Sequence, residues 1–116
     1  MLKQKTVLLS LTICAVVSLE ISQPAYAQIS EFKITADDGT ENAEFGFTVS
    51  ISGDHAVVGA HADDNFIGSA YVFKRTDTSW AQEDKLLPSD GDIADEFGWS
   101  VSISGDYVIV GAIQND

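Results

Sequence analysis

Sixteen residues of this chain occur twice. Phe45-Gly-Phe-Thr-Val-Ser-Ile-Ser-Gly-Asp-His-Ala-Val-Val-Gly-Ala60 returns as Phe97-Gly-Trp-Ser-Val-Ser-Ile-Ser-Gly-Asp-Tyr-Val-Ile-Val-Gly-Ala112, with eleven positions identical. The offset is 52 residues, and it also carries Asp38-Gly39 onto Asp90-Gly91 and Glu44 onto Glu96. A period of that size with strand-like contents points to a propeller or solenoid array, in which each unit buries its apolar faces against its neighbours. Only one complete unit and parts of two others fit in the sequence, so it reads as a piece of a larger architecture.

The first 27 residues have a different character. Lys3 and Lys5 precede an apolar run from Val7 to Leu19, and small residues at Ala25 and Ala27 stand just before Gln28. This is the three-part pattern of a secretory signal peptide, with cleavage expected after Ala27. A membrane anchor would need roughly 20 apolar residues; this run has 13 and is followed directly by Glu20. Leu11-Thr-Ile-Cys14 superficially resembles a lipidation site, but Ile13 stands where a small residue is required. The expected location is therefore the periplasm, the cell surface or the medium.

Removing the leader leaves 89 residues with no cysteine, 17 acidic residues and 4 basic ones. No disulfide can staple this part, and no thiol can react or ligate a metal in it. A net charge near −13 repels phosphate backbones and anionic lipid, which excludes nucleic acid as a partner. No stable membrane span is expected either.

The remaining residues read as strands. Phe47, Val49 and Ile51 alternate with Thr48, Ser50 and Ser52, giving one apolar and one hydroxyl face. Gly53-Asp54 suits a tight turn. The pattern predicts antiparallel strands at about 45–52, 54–60, 69–75 and 80–87, the last more polar as befits a sheet edge. Strands at 97–104 and 106–112 restart the unit, and Glu31–Thr35 reads as the last strand of a preceding one. No helical periodicity appears after residue 27. Glycines beside Phe45, Phe97, Ala60 and Ala112 mark a close backbone approach.

Taken together, Phe45-Gly46, Val49 to Asp54, Val58-Gly-Ala60, Gly68 to Phe73, Trp80 and Leu86 resemble the FG-GAP repeat family. That family builds the propeller head of integrin α-subunits, and the likeness is greatest to its bacterial secreted branch. The resemblance covers nearly all of residues 32–116. It implies an all-β fold of four-stranded antiparallel blades of a β-propeller, incomplete here: one full blade plus two partial blades. After the signal peptide at 1–27, the FG-GAP repeat region 28–116 divides into the end of a preceding blade and a loop at 28–44, a complete blade at 45–87 and a partial second blade at 88–116. Integrin-type blades carry a calcium loop between their first two strands. Here that connection is only Ser52-Gly-Asp54 and Ser104-Gly-Asp106, so the family's calcium does not transfer.

Chemical sites are sparse. Acidic residues cluster at Asp37, Asp38, Glu41 and Glu44, and again at Asp90, Asp92, Asp95 and Glu96, without the spacing of a calcium loop. They read as solvated turns, as does Asp63-Asp64-Asn65. His55 aligns with Tyr107 as a ring in a strand, and His61 has neither a repeated equivalent nor a cysteine partner. Phe73, Trp80, Phe97, Trp99 and Tyr107 read as packing residues. No catalytic, cofactor-binding or metal-ligating residue is assigned, and no cofactor is expected. The function expected is a non-enzymatic interaction or adhesion module contacting an extracellular protein or glycan, with self-association through the uncovered strand edge. The alternatives are a truncated propeller fragment without independent function, favoured by the end of the sequence just after Val-Gly-Ala, or an extracellular hydrolase.

Overall fold

The computed structural model describes residues 7–10 and 31–114. Among these, eight strands form three antiparallel sheets. β1 (Val7–Ser10) pairs with β2 (Glu31–Ile34), Val7 opposite Ile34. The central sheet runs β3 (Thr48–Ser52), β4 (His55–Ala60), β5 (Ser69–Thr76), β6 (Ser79–Leu86) in simple sequence order. The third sheet holds β7 (Ser100–Ser104) and β8 (Tyr107–Gly111). Of the expected leader only Val7–Ser10 is described; Cys14 and the cleavage site at Ala25–Ala27 lie outside the described residues.

The first strand of each unit starts three residues later than the apolar pattern predicts. Glu44 (φ 56°) and Gly46 (φ 91°) lie in the left-handed region, and Glu96 (57°) and Gly98 (93°) repeat them. The chain therefore turns sharply at Phe-Gly before it extends. The amide of Phe47 closes the first turn on the Glu44 carbonyl at 3.1 Å, and Trp99 closes the second on Glu96 at 3.1 Å. Phe45 leaves the sheet pattern altogether and plugs the core with no exposed surface. The 52-residue repeat thus extends to backbone conformation, and includes Asn42 and Ala94, both at φ 74°.

The loop after β4 contains one short helical turn, Asp63–Phe66. Its Asp64 and Asn65 have φ of 47° and 57°, so this is a left-handed turn rather than a helix the periodicity overlooked. Amides of Ile67 and Gly68 close it on the Asp64 and Asp63 carbonyls.

The central sheet is covered on both faces. On one, Ala56, Val58, Tyr71 and Phe73 pack with Phe45 and with Ile34 of β2. On the other, Val57 and Ala70 meet Ile103, flanked by Val101, Val108 and Val110. Burying a side chain of this class contributes about 1.5–3 kcal/mol. The two faces of β3 do not divide as the alternation suggests. Val49 and Ile51 are each 50% exposed, whereas the hydroxyl face is the one that docks. Ser50 Oγ accepts the Ile103 amide at 3.1 Å, and Ser52 Oγ accepts the Gly105 amide at 3.1 Å. Thr48 Oγ1 donates to the Gly98 carbonyl at 3.3 Å. Small hydroxyl residues let a second strand approach closely and satisfy backbone groups that no ladder reaches.

Backbones converge most tightly where β4 meets the Phe97-Gly98 turn. A Cβ at Gly59 would collide with the Gly98 carbonyl, and one at Gly98 with the Ser69 carbonyl. A parallel bridge joins Gly68 to Phe97 at the same seam.

Candidate functional site

Three loops gather at one end of the sheets: 36–44, 61–67 and 90–96. The Ala62 amide bonds the Ala43 carbonyl at 3.3 Å, and the Glu96 amide bonds the Phe66 carbonyl at 2.8 Å. Between the first two loops lies an open cleft of about 640 Å³, lined among others by Asp38, Glu41, Asn42, Asp63, Asp64 and Phe66.

The floor of the cleft is an ion-paired cluster set up by strand register. Tyr71 of β5 stands opposite Lys85 of β6, so phenol and ammonium emerge together, with Lys85 Nζ 5.1 Å from the ring centre. Lys85 Nζ bonds Asp38 Oδ2 at 2.6 Å and Asp63 Oδ2 at 2.9 Å. Tyr71 donates to Asp38 Oδ1 at 3.0 Å, and the Ser69 hydroxyl donates to Asp63 Oδ2 at 2.5 Å. Asp63 is only 5% exposed; the reading of Asp63-Asp64-Asn65 as a solvated turn holds for its last two residues and fails for the first.

The electrostatics follow from these contacts. The Lys85 ammonium holds the Asp38 carboxyl below its ordinary 3.8. Burial works against the charge on Lys85, but its bonds to Asp38, Asp63 and Tyr71 outweigh this and raise it above 10.5. Burial also pushes the Tyr71 phenol up. A lowered Asp38 stabilises the fold above about pH 4 and loses that contribution as pH falls through its folded value. A raised Lys85 stabilises below about pH 10 and loses its contribution as pH rises through its folded value. Both contributions are present in between. Lys85→Met should therefore cost about 2 kcal/mol at pH 7, at the low end for a broken ion pair because Lys85 is partly exposed. The deficit should shrink below pH 4, as urea unfolding at a series of pH values would show; a pH-independent deficit would mean that the charge is irrelevant.

The same cluster bears on divalent cations. The ammonium already occupies the space between Asp38 and Asp63, and calcium prefers six to eight oxygen ligands. Calorimetric titration with calcium in 0.15 M salt should show no saturable site tighter than about 1 mM, the weak end of extracellular calcium modules. A stoichiometric micromolar site would contradict this.

His61 is the residue whose setting the sequence conceals most. Its ring is 6% exposed and lies between Glu44 (Nε2 to Oε2, 3.0 Å) and Glu96 (Nδ1 to Oε2, 3.1 Å). These two glutamates are repeat equivalents from adjoining units. Phe47 and Trp99, also equivalents, flank the imidazole at centroid distances of 4.3 and 4.9 Å. The carboxylates approach opposite ring nitrogens, so they cannot converge on one ion with the ring. A doubly protonated ring donates to both; a neutral one donates to one. The arrangement is a latch between units. The signal available in sequence was the glutamate repeated at the 52-residue spacing, Glu44 and Glu96.

The remaining acids separate cleanly. Asp37, Glu41, Asp90 and Asp92 are exposed, while Asp95 is buried and accepts the Asp92 amide at 2.8 Å. His55 pairs with Glu83 at 3.3 Å. Phe73 is core, Trp80 and Phe97 pack against the clusters, and Tyr107 stands 79% exposed, against the packing role expected of it.

A comparison with protein-family models matches the FG-GAP repeat over residues 29–73 and again over 80–116. The chain belongs to the FG-GAP repeat family. The boundary between the matches falls close to the turn from β5 into β6, and each match contains one Phe-Gly turn and one Val-Gly-Ala strand end. A comparison with curated proteins finds no match. Among the described residues no helix is long and apolar enough to cross a membrane.

Proposed function

We propose that this FG-GAP chain is a non-enzymatic interaction or adhesion module, exported by its leader, whose sheets are blades of a β-propeller. The central sheet is the complete blade, β7–β8 the start of the next, and β2 the outer strand of the one before. The observation that carries this reading is the loop cleft. It is open, it is rimmed by exposed Asp64, Asn65, Glu41 and Asn42, and Phe66 stands 48% exposed beside them. Its inner carboxylates are occupied by Lys85 and Tyr71, which suits recognition better than acid–base work. An acidic rim favours a basic protein surface as partner. The exposed Phe66 ring beside two amides supports a glycan as the second reading, since an aromatic face and hydrogen-bonding side chains are what a sugar ring requires.

Display of the chain, leader removed, against arrays of extracellular proteins and polysaccharides tests this. Binding lost in a Phe66→Ala, Asp64→Asn variant and kept in His55→Ala supports it. Binding indifferent to the loop changes, or release of soluble sugar from a polysaccharide, contradicts it. N-terminal analysis of exported material should find Gln28 first; retention of residues 1–27 would contradict cleavage after Ala27.

A further inference from the structure

The size of the loop cleft separates the two kinds of partner it could serve. About 640 Å³ lies within the roughly 300–1,000 Å³ of small-ligand sites, whereas a folded protein docks through a patch of about 800 Å² on each side. A short run of sugar rings suits the cleft better.

The opening does not come from a bare end of the chain. Every lining residue lies within a single 52-residue period, from Asp38 to Lys85. On one side the next loop is in place, with the Glu96 amide on the Phe66 carbonyl, and Phe66 is still 48% exposed. For the other side the repeat supplies the comparison. Ile93, the equivalent of Glu41, has the 61–67 loop of the unit before it alongside and remains 74% exposed. A unit in front of Glu41 would leave it open in the same way.

The lining has an occupied half and a free half. Asp38 and Asp63 are taken up by Lys85, the one cation in the lining among the described residues. No ion pair or hydrogen bond engages the side chains of Glu41, Asn42, Asp64 and Asn65 among the described residues. The repeat does not require the two in the first loop. Asn42 and its equivalent Ala94 share φ 74°, so the backbone turns without a carboxamide, and Ile93 stands where Glu41 would recur.

These free groups ask for one kind of ligand. Carboxamides both donate to and accept from hydroxyls. The Phe66 ring offers an apolar surface to the C–H face of a sugar. The two carboxylates add charge-assisted bonds to an ammonium. With Lys85 already paired, a uronate or a sulfated sugar finds no free cation. We propose that the cleft binds an amino sugar carrying a free ammonium, a glucosamine-type unit, with its ring on Phe66 and its ammonium at the Glu41 and Asp64 rim. This inference rests on the cleft being a recognition site, and within that reading it selects the glycan over the basic protein surface.

Titration of a β-1,4-linked glucosamine oligomer into the chain with its leader removed, at pH 6 in 0.15 M salt, tests it by NMR and calorimetry. Chemical shifts should change at residues 40–42 and 64–66. Affinity should exceed that for the fully N-acetylated oligomer about tenfold, the worth of one hydrogen bond to a charged group. An oligogalacturonate should not bind. A net charge near −13 attracts any polycation, so a lysine peptide of matched charge is the control and should bind more weakly. Phe66→Ala keeps the charge and should lose the glucosamine oligomer; Asp64→Asn should remove the preference over the acetylated one. Circular dichroism checks that both are folded, and Glu41→Gln serves in place of Asp64→Asn. Equal affinity for the free and acetylated oligomers, with shifts in the cleft, would overturn the amino sugar and leave a neutral glycan at the same site. A lysine peptide that binds as tightly would overturn it in favour of a protein partner or of bulk charge. No shift in the cleft with any probe would overturn both this inference and the recognition reading beneath it.

Discussion

Phe45→Ala should destabilise the fold by about 3–5 kcal/mol, the range for truncating a buried aromatic residue. The ring has no exposed surface and meets Tyr71 and Phe73 edge to face, at centroid separations of 5.4 and 5.9 Å. Its removal leaves a cavity at the point where the Phe-Gly turn, β5 and the face shared with β2 come together. A domain of this size has only about 5–15 kcal/mol in hand, so the loss takes much of the total. Phe97→Ala is the internal control. Phe97 occupies the equivalent turn but is only partly buried, and its loss should cost about half as much. Urea unfolding, with the midpoint shifted and the slope unchanged, checks both values. Equal costs would mean that the two turns are equally enclosed.

Gly98→Ala should cost about 2–4 kcal/mol, combining a left-handed backbone with a steric collision. Gly98 has φ 93°, and a Cβ there would collide with the Ser69 carbonyl at the seam between units. Backbone cannot swing aside as a flexible side chain can. Gly105→Ala separates the two contributions. That glycine also has positive φ (54°) but nothing lies within 4 Å of its would-be Cβ, so its cost should stay near 1 kcal/mol. The difference measures the closeness of approach between sheets. Gly98→Ala should also perturb the near-ultraviolet dichroism of Trp99, whose ring packs with Phe47 and His61 across the seam.

Much of the fold was legible from residues alone, because a sequence repeated in register constrains structure twice over. The six predicted strands after residue 44 all form, and their hairpins close at Gly53-Asp54 and Gly105-Asp106 as turn chemistry requires. What alternation could not reveal was which face of β3 docks. Hydrophobicity favours burying Val49 and Ile51, yet the serine face receives the next strand, because its hydroxyls bond that strand's amides. Strand starts were misplaced for a related reason: positive φ at Glu44 and Glu96 is a tertiary requirement that glutamate does not advertise.

The candidate site was less legible. Asp38 and Asp63 stand 25 positions apart in sequence and meet because Lys85 and Tyr71, from the last two strands of the sheet, each reach both. The two partners of His61 lie 17 and 35 positions away along the chain, although the repeat pairs Glu44 with Glu96. Contacts between units join residues that lie one period apart, a distance at which local pattern has no reach.

Amide hydrogen exchange at Ile103 and Gly105, followed by NMR in the chain with its leader removed, tests most directly whether the units dock through the hydroxyl face of β3. Both amides are bonded to serine side chains of the preceding unit. They should exchange orders of magnitude more slowly than exposed amides, and a Ser50→Ala, Ser52→Ala variant should speed both while leaving Val57 and Val58 in the β4 ladder protected. Exchange of Ile103 and Gly105 at the rate of open chain in the wild type would show that the sheets stand apart, and would contradict the packing of one repeat on the next.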